Sequence, residues 1–129
     1  MKTIISWVLQ IVAAVIMLQT LYFKFSGAEE SIYIFSAIGM EPWGRYLTGV
    51  MELIAGVLLL TRKWNFLGAI LGMGLMSGAL FFHLTSLGVE VQGDDGYLFV
   101  LALVVLVSTV GVLTINIGKA KAFLGSLSS

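Results

Sequence analysis

WGRYLTGVMELIAGVLLLT, residues 43–61, is the stretch on which the fold of this chain turns. An α-helix rises about 1.5 Å per residue and the hydrocarbon core of a bilayer is about 30 Å thick, so a crossing needs about 20 apolar residues. This run is long enough, but it contains an arginine and a glutamate. A charge at membrane depth costs a few kcal/mol or more, so it faces other protein and pairs. Glu52 lies about two turns inside the run. Arg45, Gly49, Glu52 and Gly56 follow i, i+4, i+7, i+11 spacing and share one helical face. The two glycines on that face let a neighbouring backbone approach closely. The charged face is thus the packing face, and the stretch reads as one member of a helix bundle in lipid.

Three further stretches complete the bundle. Residues 4–23 form an apolar run that stops at Lys24, residues 66–87 a second, and residues 97–117 a third. The expected fold is therefore an all-α integral membrane protein, a four-transmembrane-helix bundle forming a single domain over residues 1–129. Lys2 precedes the first run as in a signal peptide, but the run is too long and lacks a small-residue cleavage site. It reads as an uncleaved helix. Pro42 suits a helix start, Asn65 an N-cap, and Asp94-Asp95-Gly96 a turn whose carboxylates favour a helix N-terminus. Residues 31–40, SIYIFSAIGM, are half a span, the length of an interfacial or re-entrant helix. They are expected to lie against the outer ends of the first two spans.

Composition agrees with a lipid solvent. The chain is 59% hydrophobic and 11% charged, against about 25% charged in a soluble domain, and its mean hydropathy is +1.04. Seven basic and seven acidic residues cancel, which leaves no basic face for nucleic acid. With no cysteine and one histidine, the chain has no disulfide, iron–sulfur ligation or thiolate zinc site, and no haem, flavin or metal motif. Lys2, Arg62, Lys63, Lys119 and Lys121 fall on one side of four spans, while Glu29, Glu30, Glu41, Glu90, Asp94 and Asp95 fall on the other. The excess of basic residues assigns the first side to the cytoplasm, with both termini there. Trp7, Trp43, Trp64 and Tyr97, near span ends, suit the interfacial belt.

Candidate functional residues lie in the outer half. On the third span Gly68, Gly72, Ala79 and His83 share a face, and His83 sits near the depth of Glu52. On the first span Ser6, Gln10, Ala13, Met17, Thr20 and Lys24 run along one side. Lys24, Arg45, Glu52 and His83 are expected to converge, while the Leu/Val-rich fourth span looks mostly lipid-facing. The plainer roles are snorkelling for Lys24 and Arg45, an ion pair for Glu52, a structural histidine for His83 and packing for the glycines.

The same residues carry a family resemblance. LYFKFSG (21–27), GRYLTGVMELIAGVLLL (44–60) and LGAILGMGLMSGALFFHL (67–84) resemble the DoxX family of small four-helix bacterial membrane proteins. The shared features are a lysine after an aromatic, a Gly-x-x-Glu-Leu-x-x-Gly core and a late histidine. The resemblance implies a multi-pass protein of the bacterial inner membrane. It also implies a likeness to the membrane subunit of thiosulfate:quinone oxidoreductase, with Lys24, Arg45, Glu52 and His83 as the positions carried over. No thiosulfate-specific motif is present.

Two classes of function follow. In a quinone-linked oxidoreductase subunit, Lys24 and Arg45 would bind substrate and stabilise negative charge, and Glu52 and His83 would be the catalytic proton relay. With Glu52 ionised and His83 neutral, the four residues carry one net positive charge, which also suits a small anion. Electrons would come from a redox partner subunit, a bound cofactor or the substrate itself; self-association into a homo-oligomer is the other open partnership. In a non-catalytic anchor or assembly subunit, the same cluster would hold the helices together. A small carrier or channel fits less well, since such proteins commonly show inverted repeats and no repeat is visible here.

Overall fold

The helices follow from long runs free of internal proline, broken where Gly, Pro or Asn intervenes. The computed structural model describes residues 2–88 and 96–128. Its elements are α1 (Lys2–Ser26), α2 (Glu29–Ala37), α3 (Trp43–Leu59), α4 (Asn65–Phe82), α5 (Tyr97–Ile115) and α6 (Ile117–Ser128). One π-helical turn, His83–Leu87, continues α4. No strand occurs among the described residues. Three helices are long and apolar enough to cross a membrane: α1, α4 with the start of its π turn, and α5. With 17 residues, α3 is shorter.

The helices sit close to where the apolar runs place them, with instructive departures. The half-span at residues 31–40 begins earlier, at Glu29, and ends at Ala37. Residues 97–117 do not form one rod, because α5 stops at Asn116. The Asn116 side-chain amide donates to the Val112 carbonyl at 2.8 Å and to Ser6 Oγ at 2.9 Å, and the chain re-enters a helix, α6, that the sequence did not announce. Asn65 is the first residue of α4, not its cap. Its side chain turns inward instead. Gly96, at φ +82°, precedes α5, while Glu90, Asp94 and Asp95 lie outside the described residues.

Side-chain hydrogen bonds set the helix order. At one end Ser6 Oγ donates to Gln10 Oε1 (2.5 Å), Gln10 Nε2 to the Leu59 carbonyl (2.7 Å), and Asn65 Nδ2 to Gln10 Oε1 (3.1 Å). Together with Asn116 on Ser6, this network ties the start of α1, the end of α3, the start of α4 and the end of α5. At the other end Arg45, near the start of α3, donates to the backbone carbonyl of Lys24. The four helices therefore alternate in direction, packed in a ring α1–α3–α4–α5. The rise from residue 10 to 24 on α1, and from 45 to 59 on α3, is about 21 Å in each case. α3 thus runs back along the full distance that α1 covers between those bonds.

The core is made of small residues. Ala13, Ala14, Ala55 and Ala69 are fully buried with Met17, Leu59, Val105 and Val112, whereas Ile4, Val8, Val15, Val57 and Val107 are each more than half exposed. Small residues inside and branched aliphatics outside is the arrangement expected when lipid is the solvent and close backbone contact supplies the cohesion. The tightest contact with a neighbouring backbone is at Gly68, where a Cβ would stand 2.7 Å from the Leu59 nitrogen and 2.8 Å from the Ala55 oxygen. Gln10 is fully buried at the centre of the polar network. Gln10→Leu would strip Asn65 Nδ2 and the Leu59 carbonyl of their partner. A loss of about 1–3 kcal/mol is expected, read as a lowered Tm in detergent.

Candidate functional site

Above the small-residue core the helices separate. A partly open cavity of about 290 Å³ lies between α1, α4 and α5, with α3 contributing Thr48 and Glu52 and α2 lying across it through Ser31, Ile34, Phe35 and Ile38. Its walls are graded along the helix axes. The deep end is wholly apolar, formed by Ile16, Met17, Leu75, Met76 and Val105; the opposite end is mixed, with the polar groups Thr20, Lys24, Glu52 and His83 set among Phe23, Ile34, Phe35, Ile38, Phe82 and Leu98. Gly74 and Gly78, one turn apart on α4, also line it, and a Cβ on either would meet nothing within 4 Å. These two glycines face open space. Gly68 and Gly72, lower on the same helix, face atoms at 2.7 Å and 3.1 Å.

Glu52 is buried by the glycine-bearing face of α3, as its spacing implies. Its Oε1 lies 2.8 Å from Lys24 Nζ, and its Oε2 accepts from Thr20 Oγ1 at 2.8 Å. Both carboxylate oxygens are thus engaged. Lys24 turns inward to this pair, its side chain 17% exposed. An ammonium has three N–H groups, and one partner leaves donor capacity directed at the cavity.

His83 is 5% exposed and opens the π turn, in which a widened backbone ring takes one more residue than an α-helical turn. Its Nδ1 lies 2.9 Å from the Gly88 carbonyl. A carbonyl only accepts, so Nδ1 carries the proton. In the neutral ring Nε2 is then the basic atom, without a hydrogen-bond partner among the described residues. Phe99 of α5 holds the ring edge-on at a centroid distance of 5.6 Å.

Arg45 is placed differently from the expected four-residue convergence. It does not line the cavity. Its guanidinium bonds Glu41 through Nε at 3.0 Å to each carboxylate oxygen and through Nη2 at 2.9 Å, caps α1 at the Lys24 carbonyl, and stacks on Tyr46 at 4.5 Å. Arg45 secures the join between α1 and α3. The charge balance changes with it. Lys24, Arg45 and Glu52 together would leave one positive charge, but Glu41 neutralises Arg45, and among the described residues the cavity is lined by one lysine and one carboxylate, paired with each other.

Three features were not evident in sequence. Glu41 stands i−4 from Arg45, a spacing that pairs opposite charges on a helix, but Pro42 between them reads as a break. Gly74 and Gly78 resemble the packing glycines in every local respect. The fourth span, expected to be mostly lipid-facing, supplies Leu98, Leu101, Ala102 and Val105 to the cavity wall. No protein-family model, curated protein or solved structure matches the chain.

Proposed function

We propose that this chain is a four-span membrane protein that holds a long-tailed quinone, as the membrane subunit of a quinone-linked oxidoreductase. Connectivity supports the fourth span. If α1 and α4 cross in the same direction, the chain between them must return, and α3 runs antiparallel between them. The gathering of Lys2, Arg62, Lys63, Lys119 and Lys121 at the Gln10 end supports a cytoplasmic position for that end and for both termini. The DoxX resemblance points to the bacterial inner membrane and to the same class of function.

The observation that carries the proposal is the grading of the cavity. A ligand seated there meets hydrogen-bonding groups at the outer end and only apolar wall toward the bilayer centre. The pairing of Lys24 with Glu52 favours a neutral head with carbonyl oxygens over a small anion. The volume is near the lower end of the range for small-molecule pockets, enough for a head group and the first part of a tail. Lys24 Nζ is the donor for one carbonyl oxygen. His83 Nε2 and the Glu52 carboxylate are the groups that hold and pass protons. Quinone reduction consumes two electrons and two protons; with no cysteine and one histidine in the chain, a partner subunit supplies the electrons.

A second reading, a non-catalytic anchor, is favoured by one specific observation: both buried cations already have carboxylate partners, Lys24 with Glu52 and Arg45 with Glu41. The test is extraction of the full chain in mild detergent and quantification of bound quinone by mass spectrometry. The wild type is expected to retain about one quinone per chain. Gly78→Leu fills the open space beside α4 and should lower quinone retention at least about tenfold, a change of 1.4 kcal/mol in affinity. His83→Ala removes an acceptor that a quinol hydroxyl can use and a quinone carbonyl cannot, so it should weaken retention of the reduced form more than of the oxidised form. Wild-type protein without quinone, accompanied by a stoichiometric protein partner, would establish the anchor reading instead.

A further inference from the structure

At the end opposite the cavity, the connection between α3 and α4 and the last helix touch. Lys119 Nζ donates to the Arg62 backbone carbonyl, and Phe123 of α6 packs on Trp64 and Phe66 at ring distances of 6.0 Å and 5.7 Å. α6 therefore folds back against the bundle, with its own Ala120 buried. Four cations, those of Arg62, Lys63, Lys119 and Lys121, are brought into these two touching segments, and Lys2 begins α1 at the same end. Like charges this close repel. Yet neither ion pair among the described residues involves any of them: both carboxylate partners, Glu41 and Glu52, belong to the other half of the protein. Arg62, Lys63 and Lys121 are exposed, and Lys63 is held over the Trp64 ring at 5.1 Å.

The free face of α6 has a second character. Ile117, Leu124 and Leu127 are 43%, 63% and 68% exposed. Within a helix of 12 residues, these side chains flank Lys121. A short helix that mixes exposed aliphatics with lysines matches the boundary between acyl chains and headgroups, where the apolar side chains enter the membrane and the lysines reach its charged surface. A soluble anion would satisfy the lysines but not the leucines. A neutral lipid would satisfy the leucines but leave the cations uncompensated.

We propose that the Arg62–Lys63 connection and α6 together form a binding site for anionic phospholipids of the inner leaflet. The lipid phosphate and its net negative charge supply the counter-charge that no carboxylate among the described residues supplies at this end, and the acyl chains run beside Leu124 and Leu127. The site rests on the membrane topology proposed above and is independent of what occupies the cavity. Each cation near an anionic surface strengthens binding about fivefold, so the site should discriminate sharply by headgroup charge.

The experiment is native mass spectrometry and thermal melting of the full chain in mild detergent, titrated with phosphatidylglycerol, phosphatidylcholine or inorganic phosphate. Phosphatidylglycerol is expected to be retained at least about tenfold more strongly than phosphatidylcholine and to raise Tm, with inorganic phosphate inert. Lys63→Gln with Lys121→Gln, neither of which removes a backbone contact, should cost about 25-fold in phosphatidylglycerol retention and leave phosphatidylcholine unchanged. Lys63→Arg with Lys121→Arg should preserve the preference. Leu124→Ser with Leu127→Ser should weaken both lipids. Equal retention of the two lipids by the wild type, an undiminished preference in the Gln variant, or the same Tm rise from inorganic phosphate would each overturn the proposal. Protein that stays monodisperse without detergent would instead overturn the membrane topology beneath it.

Discussion

Lys24→Met is expected to destabilise the protein by about 3–5 kcal/mol, because it leaves the Glu52 carboxylate buried with its counter-charge removed. Glu52 is only 3% exposed, and Thr20 alone cannot compensate a full negative charge. The double variant Lys24→Met, Glu52→Leu removes both charges. Replacing a buried ion pair with apolar side chains of similar volume is often neutral or stabilising, so most of the lost Tm should return. Quinone retention should not return, since the donor and one proton-holding group are both gone. Melting curves and bound-quinone assays on the two variants separate a structural role of this pair from a functional one. Recovery of both Tm and quinone in the double variant would show that the pair only holds α1 to α3, and would favour the anchor reading.

Gly68→Leu should be comparably damaging. Even the first carbon of a side chain would stand within 3 Å of the α3 backbone at Ala55 and Leu59, and backbone cannot rotate away as a side chain can. α4 would have to lift from α3, breaking the Asn65–Gln10 bond one turn away. Overpacking usually costs about 1–3 kcal/mol and occasionally more; with the clash made by main-chain atoms, the upper end or beyond is expected, read as loss of the monodisperse folded peak in size-exclusion chromatography. Gly74→Leu on the same helix is the control. It projects into open space, so the fold should survive it and only ligand retention should fall.

The contrast between those glycines shows what the sequence could disclose and what it could not. The burial of Glu52 was legible, since its spacing from Gly49 and Gly56 left the carboxylate one low-cost direction to face. The inward turn of Lys24 was legible only as one of two options, snorkelling or pairing, and the position of Glu52 one helix away decides between them. The partner of Arg45 was obscured by Pro42, which interrupts the i, i+4 reading although Glu41 and Arg45 still meet. Gly68 and Gly74 have the same chemistry on the same helix. Only the divergence of α4 from its neighbours makes one a contact and the other a wall. The π turn at His83 and the break at Asn116 are likewise backbone events, and the contacts that accompany them, with the Gly88 carbonyl and with Ser6, lie outside any local apolar pattern.

The hydrogen-bond network centred on Gln10 and the Gly68 crossing are confined to one half of the bundle, and the cavity to the other. Changes of side chain at Gly74, Gly78, Phe82 or Leu101 therefore reshape the chamber without disturbing what fixes the order and direction of the helices. In evolutionary terms the chamber wall is separable from the scaffold: the Gln10 network, the Gly68 crossing and the Lys24 and Arg45 contacts carry the instructions for assembly, and wall positions away from them can be re-cut to suit a different cargo at little risk to folding.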